Sequence, residues 1–375
     1  LNDKLHIVCL DAPSPPDYGG AIDMFYKIKA LAETGKKITL HYFDYNKKRS
    51  AEGLAKFCSE IYAYQRKEIY QVPPISRPFI VRSRINKKLI ERLNADEAPI
   101  LLEGLHCAGI IPSINQPERI VLRMHNEEAS YYRHLAESEK SFIKRKYFKR
   151  EAHLLHSFQK DMKRELKLAC LSDTDIGIFR QTYGFQRANF IPCFIPWQTV
   201  SIANGQGDFC LYHGNMSVSE NEEAVLWLIE NVFSKLMIPF TIAGKGISKR
   251  LAIAASTFKY IRLINEPSIA EIDALVRAAH IHVLPSLNRT GVKLKLLNAL
   301  LNGRFCITNE SGVMGSKIQR GLQVANDPVE WMAYITETMS KGFDEKEMQA
   351  REQVLALYNN RENAFRLSEL WSRYQ

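Results

Sequence analysis

The stretch Leu284–Gly303, LPSLNRTGVKLKLLNALLNG, crowds cations where a helix begins. Arg289 stands in the turn, and Lys293 and Lys295 stand in the opening of the helix. A helix start already carries about half a positive charge and four unpaired backbone N–H groups. Lysines there fit an anion supplied from outside the chain, a phosphate above all. Thr290 is the expected N-cap, and Gly291 would let the first-turn N–H groups face that ligand. Val292, Leu296 and Leu300 on one side, with Leu294, Leu297 and Leu301 on another, predict a deeply packed helix. The plain alternative is that both lysines reach outward or pair with carboxylates.

Other segments offer polar groups at predicted strand ends. In RMHNEEASYYRHL (123–135), His125 is suited to donate to a sugar hydroxyl near neutral pH. Glu127 and Glu128 could pair with arginines, bind hydroxyls or cap a helix. LLEGLH (101–106) repeats the theme with Glu103 and His106. Gly19-Gly20, Gly214 and Gly244-Lys245-Gly246 follow strands, where glycine lets backbone approach a phosphate or sugar. None completes a dinucleotide or P-loop motif. The pair in HIH (280–282) lacks a third metal ligand nearby, so a structural pairing is expected. SDTD (172–175) opens a short helix, with Ser172 or Asp173 as a natural cap rather than a metal ligand.

The elements that must position these groups alternate. Strands are expected at 5–10, 37–43, 61–64, 100–102 and 120–123, with a helix over 21–34 ending before Gly35. SEKSFIKRKYFKREAHLLHSFQKDMKRELKL (138–168) reads as one long basic helix, with Phe142, Phe148, Leu155, Phe158 and Met162 as its apolar positions. It would pack on the sheet or lie on a membrane surface. FIPCFIPW (190–197) reads as a linker. The alternation then restarts: strand 209–213, helix 219–234 with Ser219 and Glu222 as a capping box, strands 240–243 and 260–263, helix 269–279, strands 281–284 and 304–308. The tail 344–375 is helical and ends in Phe365, Trp371 and Tyr374. The fold class is therefore α/β, with two Rossmann-like parallel-sheet domains facing a central cleft. The first covers 1–196, with 355–375 packing back on it, and the second 197–354. Ligands of such sheets bind at the carboxyl ends of strands.

Composition bounds the rest. The 375 residues are 46% hydrophobic and 25% charged, an ordinary globular balance with length for two domains. No apolar run reaches the ~18 residues of a membrane span. The amino-terminal residues read as a strand, not a signal peptide. Seven scattered cysteines without a CxxC pair fit free thiols in a reducing cytoplasm. The net charge of +10 is lopsided: residues 1–196 hold 32 Lys and Arg against 23 Asp and Glu. That half could face acidic lipid or nucleic acid, or simply be soluble. No basic motif interleaved with aromatics favours nucleic acid.

Taken together, PPDYGG (15–20), LRMHNEEASYYRHLA (122–136), CLSDTDIGIF (170–179), LYHGNMSVSENEEAVLWLIENV (211–232), FTIAGKG (240–246) and LPSLNRTGVKLKLLNALLNGRFCITN (284–309) resemble glycosyltransferases of the two-domain GT-B type. Within that type they resemble family 4, and more narrowly a subgroup of sugar transferases of Bacteroides-type bacteria. The resemblance implies a nucleotide-diphosphate sugar donor on the second domain and a saccharide or lipid-linked acceptor on the first. It implies metal-independent transfer with retention at the anomeric carbon, and no cofactor. Gly19 and Gly20 would approach the donor diphosphate or the acceptor. His125 would touch the transferred sugar. The backbone of Gly291 and Val292 would bind the distal phosphate. Gly244–Gly246 and Leu263–Asn265 would surround the nucleoside. Placement would be cytoplasmic, with peripheral contact between the basic first domain and the inner membrane face.

The chain departs from the family pattern. Two glutamates usual in family 4 are replaced by Thr290 and Asn298. A basic residue often follows the glycine matching Gly214; here it is Asn215, and the next lysine is Lys235. Lys293, Lys295 and Lys245 are the expected substitutes for the missing cations. Two alternatives stay open: a nucleotide-sugar epimerase of the same fold, and a non-catalytic nucleotide-sugar binder.

Overall fold

A computed structural model describes residues 3–44, 49–72 and 77–372; the expected aromatic Tyr374 lies outside them. The chain divides into two compact units, 1–196 with 358–375, and 197–357.

The first unit holds seven parallel strands: β1 (Lys4–Cys9), β2 (Lys37–Asp44), β3 (Glu60–Gln65), β4 (Ile100–Glu103), β5 (Ile120–Met124), β6 (Lys167–Cys170) and β7 (Ala188–Phe190). Their order is β3-β2-β1-β4-β5-β6-β7. Alternate residues feed the two faces, as the pleat demands. Val8, Leu102, Leu122 and Leu168 enter one core. Ile7, Leu101, Val121 and Ala169 enter the other, against Met24, Ile28 and Leu31 of helix Gly19–Glu33. Because both faces are covered, the strands read as apolar runs.

The second unit holds six parallel strands: β8 (Cys210–Asn215), β9 (Phe240–Lys245), β10 (Ile261–Asn265), β11 (Ile281–Leu284), β12 (Phe305–Thr308) and β13 (Gln323–Val324). Their order is β10-β9-β8-β11-β12-β13. Strand order therefore reverses once in each sheet, between β1 and β4 and between β8 and β11.

Several expectations are corrected. The single helix expected over 138–168 is shorter: it runs Phe142–Asp161, after a separate helix Glu128–Ser138 and before β6. Phe142 is not a packing residue: it is 65% exposed, and Ile143 beside it is 80% exposed. Helix Ser219–Leu228 has no side-chain cap; Glu222 instead accepts from the Ser248 hydroxyl. The segment after β7 is no loose linker, since Ile191, Cys193, Phe194 and Ile195 are buried. The last helix, Asn360–Ser372, packs Ala364, Leu367 and Leu370 into the first unit's core.

Asn360 grips that segment at two points, accepting from Ile195 N at 3.0 Å and donating to Ile195 O at 2.8 Å. Asn360→Ala leaves both backbone groups without this partner. Urea unfolding should show a loss of about 1–3 kcal/mol.

Candidate active site

The reversal in each sheet is where neighbouring loops part and a ligand can enter at the carboxyl edge. At the β8/β11 reversal the chain gathers polar groups from three segments. β8 brings Tyr212, whose side chain is fully buried. Asn221, on the following helix, accepts from the Tyr212 hydroxyl at 3.1 Å and donates to Asn215 O at 2.9 Å. Lys295 turns inward from helix Leu294–Asn302. Its Nζ donates to the Tyr212 hydroxyl at 2.7 Å and to Asn221 Oδ1 at 3.0 Å, and lies 4.5 Å from the Tyr212 ring centroid.

Both partners of Lys295 are neutral, and among the described residues it has no carboxylate in an ion pair. Glu220, which accepts from Asn288 at 3.2 Å, acts on it only from a distance. Burial first, and Lys293 second, push the Lys295 ammonium down to about 7 against the pull of Glu220. A cation so placed is destabilised until an anion joins it.

Thr290 does not cap the helix. Its N–H and hydroxyl both donate to Asn288 Oδ1, at 2.7 and 2.8 Å, closing a turn. Gly291 then takes φ of +67°, a conformation that side chains disfavour, and the helix starts at Leu294. Lys293 holds the N-cap position, donating from Nζ to Thr290 O at 2.5 Å and Gly291 O at 3.4 Å. No side chain caps this helix and no acid occupies its first turn. Val292 and Lys293 are half-buried there. Asn298 sits one turn on, buried, with its Oδ1 accepting from Asn302 at 2.8 Å.

Across β8 the strand ends touch. A Cβ on Gly244 would lie 1.8 Å from Gly214 O, so only glycine allows this pairing. Asn215 is exposed and its Oδ1 accepts from Ser217 N. Lys245 is exposed and Leu263 half-buried, while Asn265 Oδ1 accepts from Ile247 N at 3.3 Å. These residues border the same carboxyl edge.

The first unit meets its own reversal differently. Gly19 and Gly20 open the helix after β1, without a side-chain cap. His106 is half-buried after β4, and burial drives its imidazole well below the usual range. His125, after β5, bonds Glu103 at 3.0 Å. Glu103, expected as a polar group at a strand end, is fully buried. Lys27 Nζ donates to Glu103 at 2.9 Å and to Asp23 at 2.6 Å. Arg123 in turn donates to Asp23 at 2.9 Å and to the carbonyls of Ile191 and Pro192. Asp23, Glu103 and His125 offer oxygens and a nitrogen within 4.8 Å of one another, as a metal site would. Here the Lys27 ammonium already serves both carboxylates.

Glu127 is a helix cap, accepting from Ala129 N and Ser130 N. The HIH histidines are structural: His280 Nε2 bonds Thr338 O and His282 Nε2 bonds Val276 O. Ser172 caps its helix through Asp175 N. Tyr212, Asn221, Asp23, Lys27 and Arg123 were not singled out from sequence. One signal was available: Asp23 and Lys27 share the helix stripe of Met24, Ile28 and Leu31.

Glu128 is buried, and burial first and Glu127 second raise its carboxyl to about 8. Folding therefore takes up a proton between pH 4.5 and 8, so stability from this group falls as pH rises through that window. Glu128→Gln should unfold at higher temperature than the parent at pH 8. The gap should shrink toward pH 5, by at most about 1.4 kcal/mol per pH unit.

Comparison with known proteins agrees with this fold. Residues 207–341 match the family model for glycosyl transferases group 1. An uncharacterized 44.6 kDa protein in a cps region of Klebsiella pneumoniae is 28% identical over 352 residues, spanning 88% of this chain and 90% of that one. Sucrose-phosphate synthase from Thermosynechococcus elongatus superposes with a TM-score of 0.68 at 12% identity, covering 99% of this chain and 98% of that one. Anabaena Alr3699/HepE, solved with UDP and glucose, gives 0.66 at 10% identity, covering 99% of each. Residues 207–341 are thus a glycosyl transferases group 1 domain, in a chain with the two-domain GT-B fold of glycosyltransferases.

Proposed function

We propose that the protein moves a sugar from a nucleotide-diphosphate donor to a saccharide or lipid-linked acceptor, with retention and without an essential metal. The observation that carries this reading is Lys295, an inward-turned ammonium with neutral partners beside an uncapped helix start that also holds Lys293. A leaving diphosphate gains charge as the glycosidic bond breaks. Ammonium groups and first-turn N–H groups fixed in advance stabilise that charge without reorganising. The UDP and glucose bound by the Anabaena neighbour support a nucleotide-sugar donor. The cps region of the Klebsiella relative supports a role in surface polysaccharide.

Binding is tested by calorimetry with UDP, GDP and ADP in EDTA. One nucleotide should bind, and Lys295→Met should weaken it about tenfold to a hundredfold, the worth of one charge-assisted hydrogen bond. Affinity should also fall as pH rises above about 7, by at most about tenfold per unit, because the diphosphate selects the protonated amine. Affinity that depends on added magnesium and ignores Lys295 would defeat the reading. Anomeric proton spectra of the product then read retention, and conversion of donor with no acceptor present would point to an epimerase instead.

The lipid-linked acceptor brings a membrane surface into the same reading. No helix among the described residues is long and apolar enough to cross a bilayer. Residues 140–150 carry six Lys or Arg and no acid, around exposed Phe142 and Ile143. An anionic surface gains roughly 1 kcal/mol per basic residue near it. Sedimentation with vesicles rich in phosphatidylglycerol should retain the protein, phosphatidylcholine vesicles should not, and Phe142→Ser with Ile143→Ser should release it.

A further inference from the structure

The buried charges of the first unit determine which nitrogen of His125 carries hydrogen. Asp23 and Glu103 face Lys27 and Arg123, so two negative and two positive charges balance without help from the imidazole. All four side chains are 2% exposed or less. The cluster is also held from outside itself. Phe194 N donates to Asp23 at 2.8 Å, and Arg123 donates to Ile191 O at 2.6 Å and Pro192 O at 3.0 Å. Burial alone would raise Glu103, but Lys27 and the bond from His125 hold it below the usual carboxylate range.

An ionised carboxylate only accepts hydrogen bonds. Glu103 therefore requires the hydrogen of a neutral His125 ring to sit on Nε2, 3.0 Å away. The lone pair is left on Nδ1. That nitrogen has no hydrogen-bond partner among the described residues, and the His125 side chain is 10% exposed. The sequence suggested a ring that donates to a sugar; the geometry reverses that polarity.

We propose that Glu103 is a positioning residue that presents His125 Nδ1 as a hydrogen-bond acceptor for a substrate hydroxyl. The hydroxyl rests on the sugar-transfer reading above. The orientation of the ring hydrogen does not, because it is measured on the protein without ligand.

Imidazole nitrogen spectra of the 15N-labelled full chain, with His125 assigned by loss of its signals in His125→Asn, should show protonated Nε2 and unprotonated Nδ1. Lys27 Nζ and His125 Nε2 both bond Glu103 Oε2, at 2.9 and 3.0 Å, so the carboxylate and its ammonium are removed together. In Lys27→Met with Glu103→Leu, Asp23 and Arg123 still balance but nothing accepts from Nε2. The ring hydrogen should then divide between the two nitrogens, and release of UDP from a panel of UDP-sugars should fall about 10²-fold, the usual worth of a correctly protonated group. A merely structural role for Glu103 leaves Nε2 protonated in the pair. Hydrogen on Nδ1 in the parent protein overturns the proposal, as does a pair that keeps the parent's tautomer or the parent's rate. Should the pair fail to fold, the parent spectrum decides the matter. An expected tautomer together with no donor turnover in the parent would instead count against the sugar-transfer reading.

Discussion

A parallel sheet can leave its plane at only a few places, and one of them is imposed by topology. Where strand order reverses, the loops on either side run to opposite faces and leave the carboxyl edge open. β1/β4 and β8/β11 are those places here. The polar groups of both candidate sites stand beside one of them. Groups distant in sequence meet because the reversal brings their strand ends side by side: Tyr212, Asn221 and Lys295 at one, Lys27, Glu103 and His125 at the other.

The two units handle charge in opposite ways. The first neutralises its buried ions internally, so that removing any one of them would strand its partner away from water. Such a cluster is rigid, and it reaches the surface at the His125 ring, whose side chain is 10% exposed. The second leaves Lys295 among neutral groups and Lys293 on backbone carbonyls at a helix start with no acid in its first turn. That arrangement is unfavourable alone and favourable once an anion arrives.

The alternation of strands and helices was legible in the sequence because strands covered on both faces must be apolar runs, and helices between them must carry apolar stripes. The expected strand at 100–102 is β4, and that at 281–284 is β11. Local signals misled where tertiary geometry prevailed. Thr290 looks like a cap, but Asn288 takes both its donors and Gly291 bends the chain before the helix can begin. The basic stretch over 138–168 has no proline or glycine, yet its helix begins only at Phe142, after Glu139 accepts from Ser141 N, and ends at Asp161. Within the candidate site, the two lysines and His125 were visible by type. Tyr212 was not, since a strand tyrosine looks like any core residue until its hydroxyl finds a lysine 83 positions away. Asp23 and Lys27 were readable, as an oppositely charged i, i+4 pair on an apolar stripe.

The central claim is that a nucleoside diphosphate sits at the β8/β11 reversal. Hydrogen exchange of the full chain with and without saturating UDP, GDP or ADP tests it most directly, because backbone amides held by a phosphate slow their exchange. The predicted result, with one of the three nucleotides, is protection confined to the second unit, strongest over 214–221 and 288–296. Protection that leaves those two segments unchanged while another region slows would contradict it.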